Sequence, residues 1–492
     1  MLQLLKKQVS TAGKPLAYHR FRSVQQLKPL QVSRYADERR VIERTPPPEF
    51  RIERDSLGEF ALPAHALFGI HTARAVENFP ISGRLIGEFP ELIAALARIK
   101  KAACKINVQE ALIPTHLLDP IVQACDEIAG GQFAEWFVVD IYQGGAGTST
   151  NMNVNEVIAN RSLQLLGKQL GDYEAVDPIG HINRCQSTND CYASAVRLAL
   201  FALNTKLVGA LDSLVLSLSR KARQFANVEK LGRTQLQDAV PMTAGAEIGA
   251  CASSLREDVR RLNELPGMFL EINMGGTAIG SGVGATTAYR EKIVGAVAEE
   301  FDLPISPAHD PYEASWDVGA FVLYSGMLKR LAVKLSKIAN DFRLLSSGPR
   351  GGLGELVLPE RQAGSSLMPG KVNPVVPEAL NQVAFRVFGL DTSITFAAEA
   401  GQLQLNAFEP LIFSSTYEAA SLLCSAIRMF ETKCVEGLSV DQDICLAKLE
   451  LSTARATEAA VNLSYGRAAE IARHALASGQ TWEEALRDLS ED

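Results

Sequence analysis

The feature that most limits how this chain can fold is a run of apolar residues between Cys191 and Phe225. Val196, Leu200, Leu203, Leu207, Leu211, Leu214, Leu218, Ala222 and Phe225 advance in steps of 4 and 3, with a mean of 3.6. That is the period of one face of an α-helix. A helix from Cys191 to Phe225 would be roughly 50 Å long at about 1.5 Å per residue. A rod of that length needs partners of similar length to bury its stripe.

Four further helical stretches follow, at about 242–264, 312–346, 376–400 and 410–436. Pro241, Pro266-Gly267, Pro311, Gly348-Pro349, Pro374, Pro377 and Pro410 punctuate most of the joins. Five long helices in succession predict a mainly α chain built on a five-helix bundle. Several helices carry Ala, Leu and Val on more than one side, so neighbouring subunits are expected to cover part of that surface. Aromatic residues make up only 7%, against 47% apolar overall, which favours helices over a sandwich or barrel.

The chain has 492 residues and a net charge of −7, from 49 Lys+Arg and 56 Asp+Glu. Nucleic-acid binding, which needs a basic field, is not expected. No uncharged apolar run approaches the length of a membrane span, so no membrane partner is expected. The eight cysteines form no C-x-x-C pair, and no His stands at ligand spacing from one, so neither disulfides nor a metal site is expected. Reduced thiols point to a cytoplasmic setting. Residues 1–33 carry six positive charges and no acid, which suits a flexible tail or an organelle-import segment. The expected organisation is a basic extension over 1–48, an N-terminal domain over 49–187, a central bundle over 188–442 and a short C-terminal domain over 443–492.

Three kinds of polar stretch interrupt the apolar pattern. GGAGTSTNMNVNE spans Gly144 to Glu156. QSTND spans Gln186 to Asp190, with GRTQLQDAVP related to it at 232–241. GSSLMPGKVNP spans Gly364 to Pro374, inside a long glycine-rich irregular segment over 347–373 suited to a mobile lid. Each has an ordinary explanation. Ser187, Thr188, Asn189 and Asp190 suit a helix cap. GGAGTST suits a plain turn and lacks the phosphate-loop lysine. Lys371 suits a surface, and Thr234 and Gln235 suit the start of the next helix. Taken together, the stretches gather hydroxyls, amides and one lysine, which suits a small substrate with two carboxylates.

GSSLMPGKVNP resembles the signature loop of the aspartase/fumarase superfamily almost letter for letter. GGAGTSTNMNVNEVIANR and GRTQLQDAVPMT are further matches, and the resemblance runs from about Arg51 to about Leu476. FGIHTARAVENFPISG, Thr148 within GAGTS, and Gln235 are similar to the aspartase branch. The resemblance implies a three-domain helical subunit and a homotetramer with a core of twenty helices. It implies active sites shared between three subunits, and no organic cofactor. The reaction it implies is that of a carbon–nitrogen lyase, reversible elimination of ammonia from L-aspartate to give fumarate. Alternatives are hydration of fumarate, elimination from another succinyl compound, or an inactive helical scaffold.

Residue by residue, the resemblance implies Ser365 as general base. Lys371 and Asn373 would bind the carboxylate that becomes an aci-carboxylate. Thr148, Ser187, Thr188, Asn189 and Thr234 would hold carboxylates and orient the amine, with Gln235 beside them. Ser366 would assist in the loop, Arg74 would lie near the amino-group end, and Glu378 would stand behind the first contacts. The segment Asp177-Pro178-Ile179-Gly180-His181-Ile182-Asn183 departs from the family's H-P-N-x-H-V-N, where a secondary dicarboxylate site would lie.

Overall fold

A computed structural model describes residues 50–490. The basic extension and its import segment lie outside these residues. The described chain opens with an antiparallel hairpin, β1 (Phe50–Asp55) and β2 (Gly58–Pro63). Four helices follow: α1 (Ile70–Asn78), α2 (Pro90–Gln109), α3 (Leu118–Ala129) and α4 (Thr148–Leu165).

Next comes α5 (Thr188–Gln224), with 37 residues. Its start is fixed by a capping box. Ser187 Oγ accepts from Asn189 N–H at 3.2 Å, and Asp190 Oδ1 accepts from Ser187 N–H at 2.9 Å. Its end carries Lys221 and Arg223, where cations complement the helix dipole. Among the described residues, α5 alone is long and apolar enough to cross a membrane by length and composition. Its window has a mean hydropathy of 1.5 and is 56% buried inside the structure. Counting uncharged runs misses this, because Arg197, Lys206 and Asp212 break the runs without lowering the average much.

The chain reverses through a second antiparallel hairpin, β3 (Glu229–Thr234) and β4 (Gln237–Thr243), into α6 (Ala244–Glu264). This corrects the reading of Thr234 and Gln235 as a helix start. The two-residue turn Gln235–Leu236 has φ of 53° and 64°, the left-handed pair that a tight hairpin requires. Gly245 N–H donates to Phe225 O at 2.9 Å, and a Cβ there would stand 2.4 Å from Ala222 O. Only glycine lets α6 fold back so closely on the end of α5.

Short strand β5 (Glu271–Ile272), α7 (Thr287–Phe301) and β6 (Ser306–Pro307) lead to α8 (Gly319–Leu345). The helix expected from 312 begins at Gly319 instead. Asp310 Oδ1 accepts from Tyr312 N–H, and Ser315 Oγ donates to Pro311 O, so side-chain bonds hold this stretch in a turn. Strand β7 (Leu356–Val357) precedes α9 (Val375–Glu399) and α10 (Glu409–Phe430). Strand β8 (Ser439–Val440) pairs with β7, and α11 (Gln442–Glu450), α12 (Arg455–Ala459), α13 (Tyr465–Ser478) and α14 (Trp482–Asp488) close the chain.

Helices α5, α6, α8, α9 and α10 form the predicted bundle. Leu207, Leu211, Leu214 and Leu218 are fully buried with Leu328, Leu331, Leu335, Leu380, Leu423 and Ile427. Burying each such side chain stabilises by about 1.5–3 kcal/mol. Polar contacts fix the helix directions. Tyr324 Oη, near the start of α8, donates to Asn204 Oδ1 at the middle of α5 at 3.0 Å, and Phe342 near the end of α8 packs on Phe430 at the end of α10 with ring centroids 5.6 Å apart. Lys221 Nζ, at the end of α5, donates to Leu438 O beyond α10 at 2.7 Å. Hence α5, α8 and α10 run one way, and α6 and α9 run back.

Candidate active site

The polar stretches fall into two groups, one at each end of α5. At its N-terminal end, Gly147 caps α4 with φ of 88°, and a Cβ there would stand 2.5 Å from the Tyr192 ring. Glycine therefore lets GAGTS rest directly on the first turn of α5. Thr148 begins α4, is exposed, and donates from Oγ1 to Gly145 O at 2.7 Å. Thr188 is nearly buried, and its Oγ1 accepts from Asn151 Nδ2 at 3.2 Å. Asn189 Nδ2 donates to Ala278 O at 2.8 Å. Asp190 accepts from Gly275 N–H and Thr277 N–H at 3.2 and 3.0 Å, which ties the segment before α7 to the same helix start. Burial pushes its carboxyl up to about 6, against the pull of those N–H groups.

Behind this surface lies a buried amide cluster absent from the predicted site. Asn183 Oδ1 accepts from Lys100 Nζ, Asn151 Nδ2 and Asn155 Nδ2 at 2.8, 3.1 and 3.2 Å. Lys100 is buried, and among the described residues its ammonium has no carboxylate in hydrogen-bond contact, so burial pulls its pKa down. A sequence signal existed: Ile93, Leu96, Ala97, Lys100 and Ala103 share one apolar face of α2. Lys101 beside it faces out, pairing with Asp126 and Glu300.

Arg74 on α1 is engaged within the chain. Its Nε and Nη2 donate to the two oxygens of Asp55 at 2.7 and 2.8 Å. That bidentate contact holds the Asp55 carboxyl below its usual range. Glu156 of α4 accepts from Gly69, His71 and Thr72 at the head of α1, and burial raises its carboxyl to about 7.

The second group stands where α5 ends. Thr234 and Gln235 lie at the exposed tip of the β3–β4 hairpin. The loop before α9 is closed at its base. Gly364 N–H donates to Lys371 O at 2.7 Å, and Asn373 Nδ2 donates to Gly364 O at 2.7 Å. Within it, Ser365 Oγ accepts from Leu367 N–H and Met368 N–H at 3.0 and 2.8 Å. Two amide dipoles thus aim at that oxygen. Ser366 and Lys371 are exposed, and Glu378 sits partly buried in the first turn of α9.

The groups do not meet within one chain. The 37 residues of α5 span roughly 55 Å at about 1.5 Å per residue. Thr148, Thr188 and Asn189 mark one end, while Thr234, Gln235 and the Ser365 loop mark the other.

The model of a family described as lyase matches residues 58–389. The chain belongs to that family, the aspartase/fumarase superfamily that its motifs resemble. The aspartate ammonia-lyase of Pseudomonas aeruginosa is 49% identical over 439 residues, covering 89% of this chain and 93% of that protein. The crystal structure of a fumarate lyase:delta crystallin from Brucella melitensis matches with a TM-score of 0.88 and 51% identity, covering 90% of this chain and 96% of that one. The class II fumarase of Schistosoma mansoni matches with a TM-score of 0.85 at 32% identity, with the same coverage.

The Gly147–Tyr192 contact can be tested against a glycine of equal φ. Gly131 also has φ of 88° but nothing within 4 Å of its would-be Cβ. Gly131→Ala should cost about 1–2 kcal/mol, the left-handed penalty alone. Gly147→Ala should cost a further 1–3 kcal/mol or so from overpacking. Equal losses in denaturant melts would show that the ring does not constrain this turn.

Proposed function

We propose that this chain is an aspartate ammonia-lyase, which eliminates ammonia from L-aspartate, reversibly and in anti fashion, to give fumarate. The observation that carries the reading is the Ser365 oxygen, held by two backbone N–H groups in a loop closed by Lys371 and Asn373. Half-identity to an aspartate ammonia-lyase along most of the chain supports the choice of substrate.

The chemistry follows from the charges. A proton on the carbon beside a carboxylate is very weakly acidic, and removing it puts a second charge on that group. Ser365 as alkoxide takes the proton from Cβ, and the electron pair moves into the carboxylate as an aci-carboxylate. The pair then returns to form the double bond while the Cα–N bond breaks, and the ammonium group leaves as ammonia with the bonding electrons. A serine hydroxyl is a poor base at its ordinary pKa. The Leu367 and Met368 amides favour its ionised form. Lys371 and Asn373 serve the aci-carboxylate, where donors aimed at developing charge are worth several kcal/mol. Thr148, Ser187, Thr188, Asn189, Thr234 and Gln235 serve the carboxylates and the amine. Arg74 stands near the amino-group end, and Ser366 and Glu378 support the loop.

Such a site needs more than one chain, because its parts stand at opposite ends of α5. A homotetramer that pairs bundles antiparallel brings the ends together. Exposed apolar side chains on the bundle, among them Leu216, Leu323, Val333, Phe385 and Phe396, suit that burial. In this arrangement each site draws on three subunits.

The purified protein should form fumarate, followed by its ultraviolet absorbance, faster from L-aspartate than from malate. Faster turnover of malate would make it a fumarate hydratase, and turnover of neither would make it a scaffold. Ser365→Ala should lower kcat by about 10²–10⁴, the usual worth of a general base, with the melting temperature nearly unchanged. A loss below tenfold would remove Ser365 from the role of base.

Sharing between chains has its own test. Ser365→Ala and Asn189→Ala subunits, each nearly inactive alone, are mixed 1:1, dissociated and reassembled. A site taking its two segments independently from different chains is intact in about one case in four, so activity should return to about 25% of wild type. Hybrids as inactive as their parents would place both residues in a site from the same chain.

A further inference from the structure

At the base of the Ser365 loop sits Glu355, a carboxylate that no step of the proposed reaction uses. It is 1% exposed. Its Oε1 accepts from Arg233 Nη2 at 2.6 Å, and its Oε2 stands 2.8 Å from Lys230 Nζ. Lys448 Nζ of α11 lies 3.9 Å from Oε1. Lys230 is itself buried, and its other counter-ion is Glu247 on α6 at 2.6 Å. Glu355 O also accepts from Asp441 N–H at 3.0 Å, and the next two residues pair with β8.

These contacts join two segments with separate duties. Lys230 and Arg233 belong to β3, and Arg233 is the residue before Thr234. Glu355 opens the segment that runs to Ser365 ten residues on. The hairpin tip is exposed, so its position depends on what grips its base. Two cations can lie side by side in a dry site only with a carboxylate between them. The strand is therefore fastened to the loop by charge as well as by packing.

We propose that Glu355 is a positioning residue: with Lys230 and Arg233 it clamps the base of the Thr234–Gln235 hairpin to the base of the Ser365 loop, so that each segment holds the other in place. Lys448 fastens α11 to the same clamp. The proposal rests on the preceding reading only for the reaction that serves as readout.

The test compares Glu355→Gln with Asp258→Asn. Asp258 is a fully buried carboxylate between Arg330 and Lys334 within the bundle, remote from the hairpin and the loop in the chain's contacts. Both variants should melt lower. Glu355→Gln should also lower kcat about 10–100-fold, the scale of a misplacement near 1 Å, with KM changed less than about threefold. Its primary isotope effect with aspartate deuterated at Cβ should rise, because proton removal becomes slower relative to the other steps. Asp258→Asn should leave kcat per folded subunit and the isotope effect at wild-type values. A wild-type isotope effect in Glu355→Gln, or equal changes in both variants, would overturn the clamp.

Should Glu355→Gln fail to fold, Glu355→Gln/Lys230→Met removes the stranded cation and must give the same kinetic signature; a normal isotope effect there would overturn the proposal. If the wild-type protein does not turn over aspartate, the reading of the reaction fails and the clamp is read by amide hydrogen exchange. Glu355→Gln should then speed exchange in residues 230–243 and 356–371 together, and Asp258→Asn in neither. Unchanged exchange in both segments would overturn it.

Discussion

The rigidity of α5 is the constraint on which the rest of the chain depends. A helix of 37 residues cannot bend back on itself, so whatever stands at its two ends stays apart. The capping box at Ser187 and Asp190 starts it, and the fold-back at Gly245 sets α6 against it. The other bundle helices are shorter, 21 to 27 residues, and pack along it. Apolar packing therefore fixes the distance between the two polar groups before any chemistry is considered. Under the proposed reaction, the length of the core sets how far apart the parts of the site stand within one chain.

The two ends use buried charge differently. At the start of α5, Lys100 donates to one amide oxygen, Asn183 Oδ1, and to Cys191 Sγ, and that amide oxygen receives three donors at once. Burial disfavours the charged form of Lys100, and the nearby Asp190 carboxylate opposes that by its charge. At the far end, Lys230 and Arg233 are matched by Glu355 and Glu247. Matched charge contributes rigidity and geometry more than field.

Much of this was legible in the sequence, and what was hidden had physical reasons. The five bundle helices follow from 3.6-residue periodicity, because long buried faces leave a long record. The glycine-rich segment before Val375 is irregular as expected. The β3–β4 hairpin was hidden because its turn is Gln-Leu, without the Asn or Gly that usually marks a left-handed pair. The turn before Gly319 was hidden because Asp310 and Ser315 override a helical pattern through their side chains. Ser365, Lys371 and Asn373 stood out by residue type within one motif. Glu355 did not, Asp190 read only as a cap, and Lys100 showed only as a lysine on an apolar face of α2, since a buried charge is recognised by what surrounds it. Lys100 and Lys101 are neighbours of the same type with opposite surroundings.

The Gln235–Leu236 turn has a consequence for how stable this protein can become. Both residues hold positive φ, a conformation that disfavours side chains by about 1–3 kcal/mol each. Asn-Gly would adopt the same turn with little strain. The hairpin therefore stores free energy that a selection for heat resistance alone would readily release. Doing so would draw the Gln235 amide back by one carbon and remove the exposed leucine that the tip presents. Selecting variants for thermal tolerance without an activity screen would drift toward this turn, and survivors there would be sturdier folds with a blunted site.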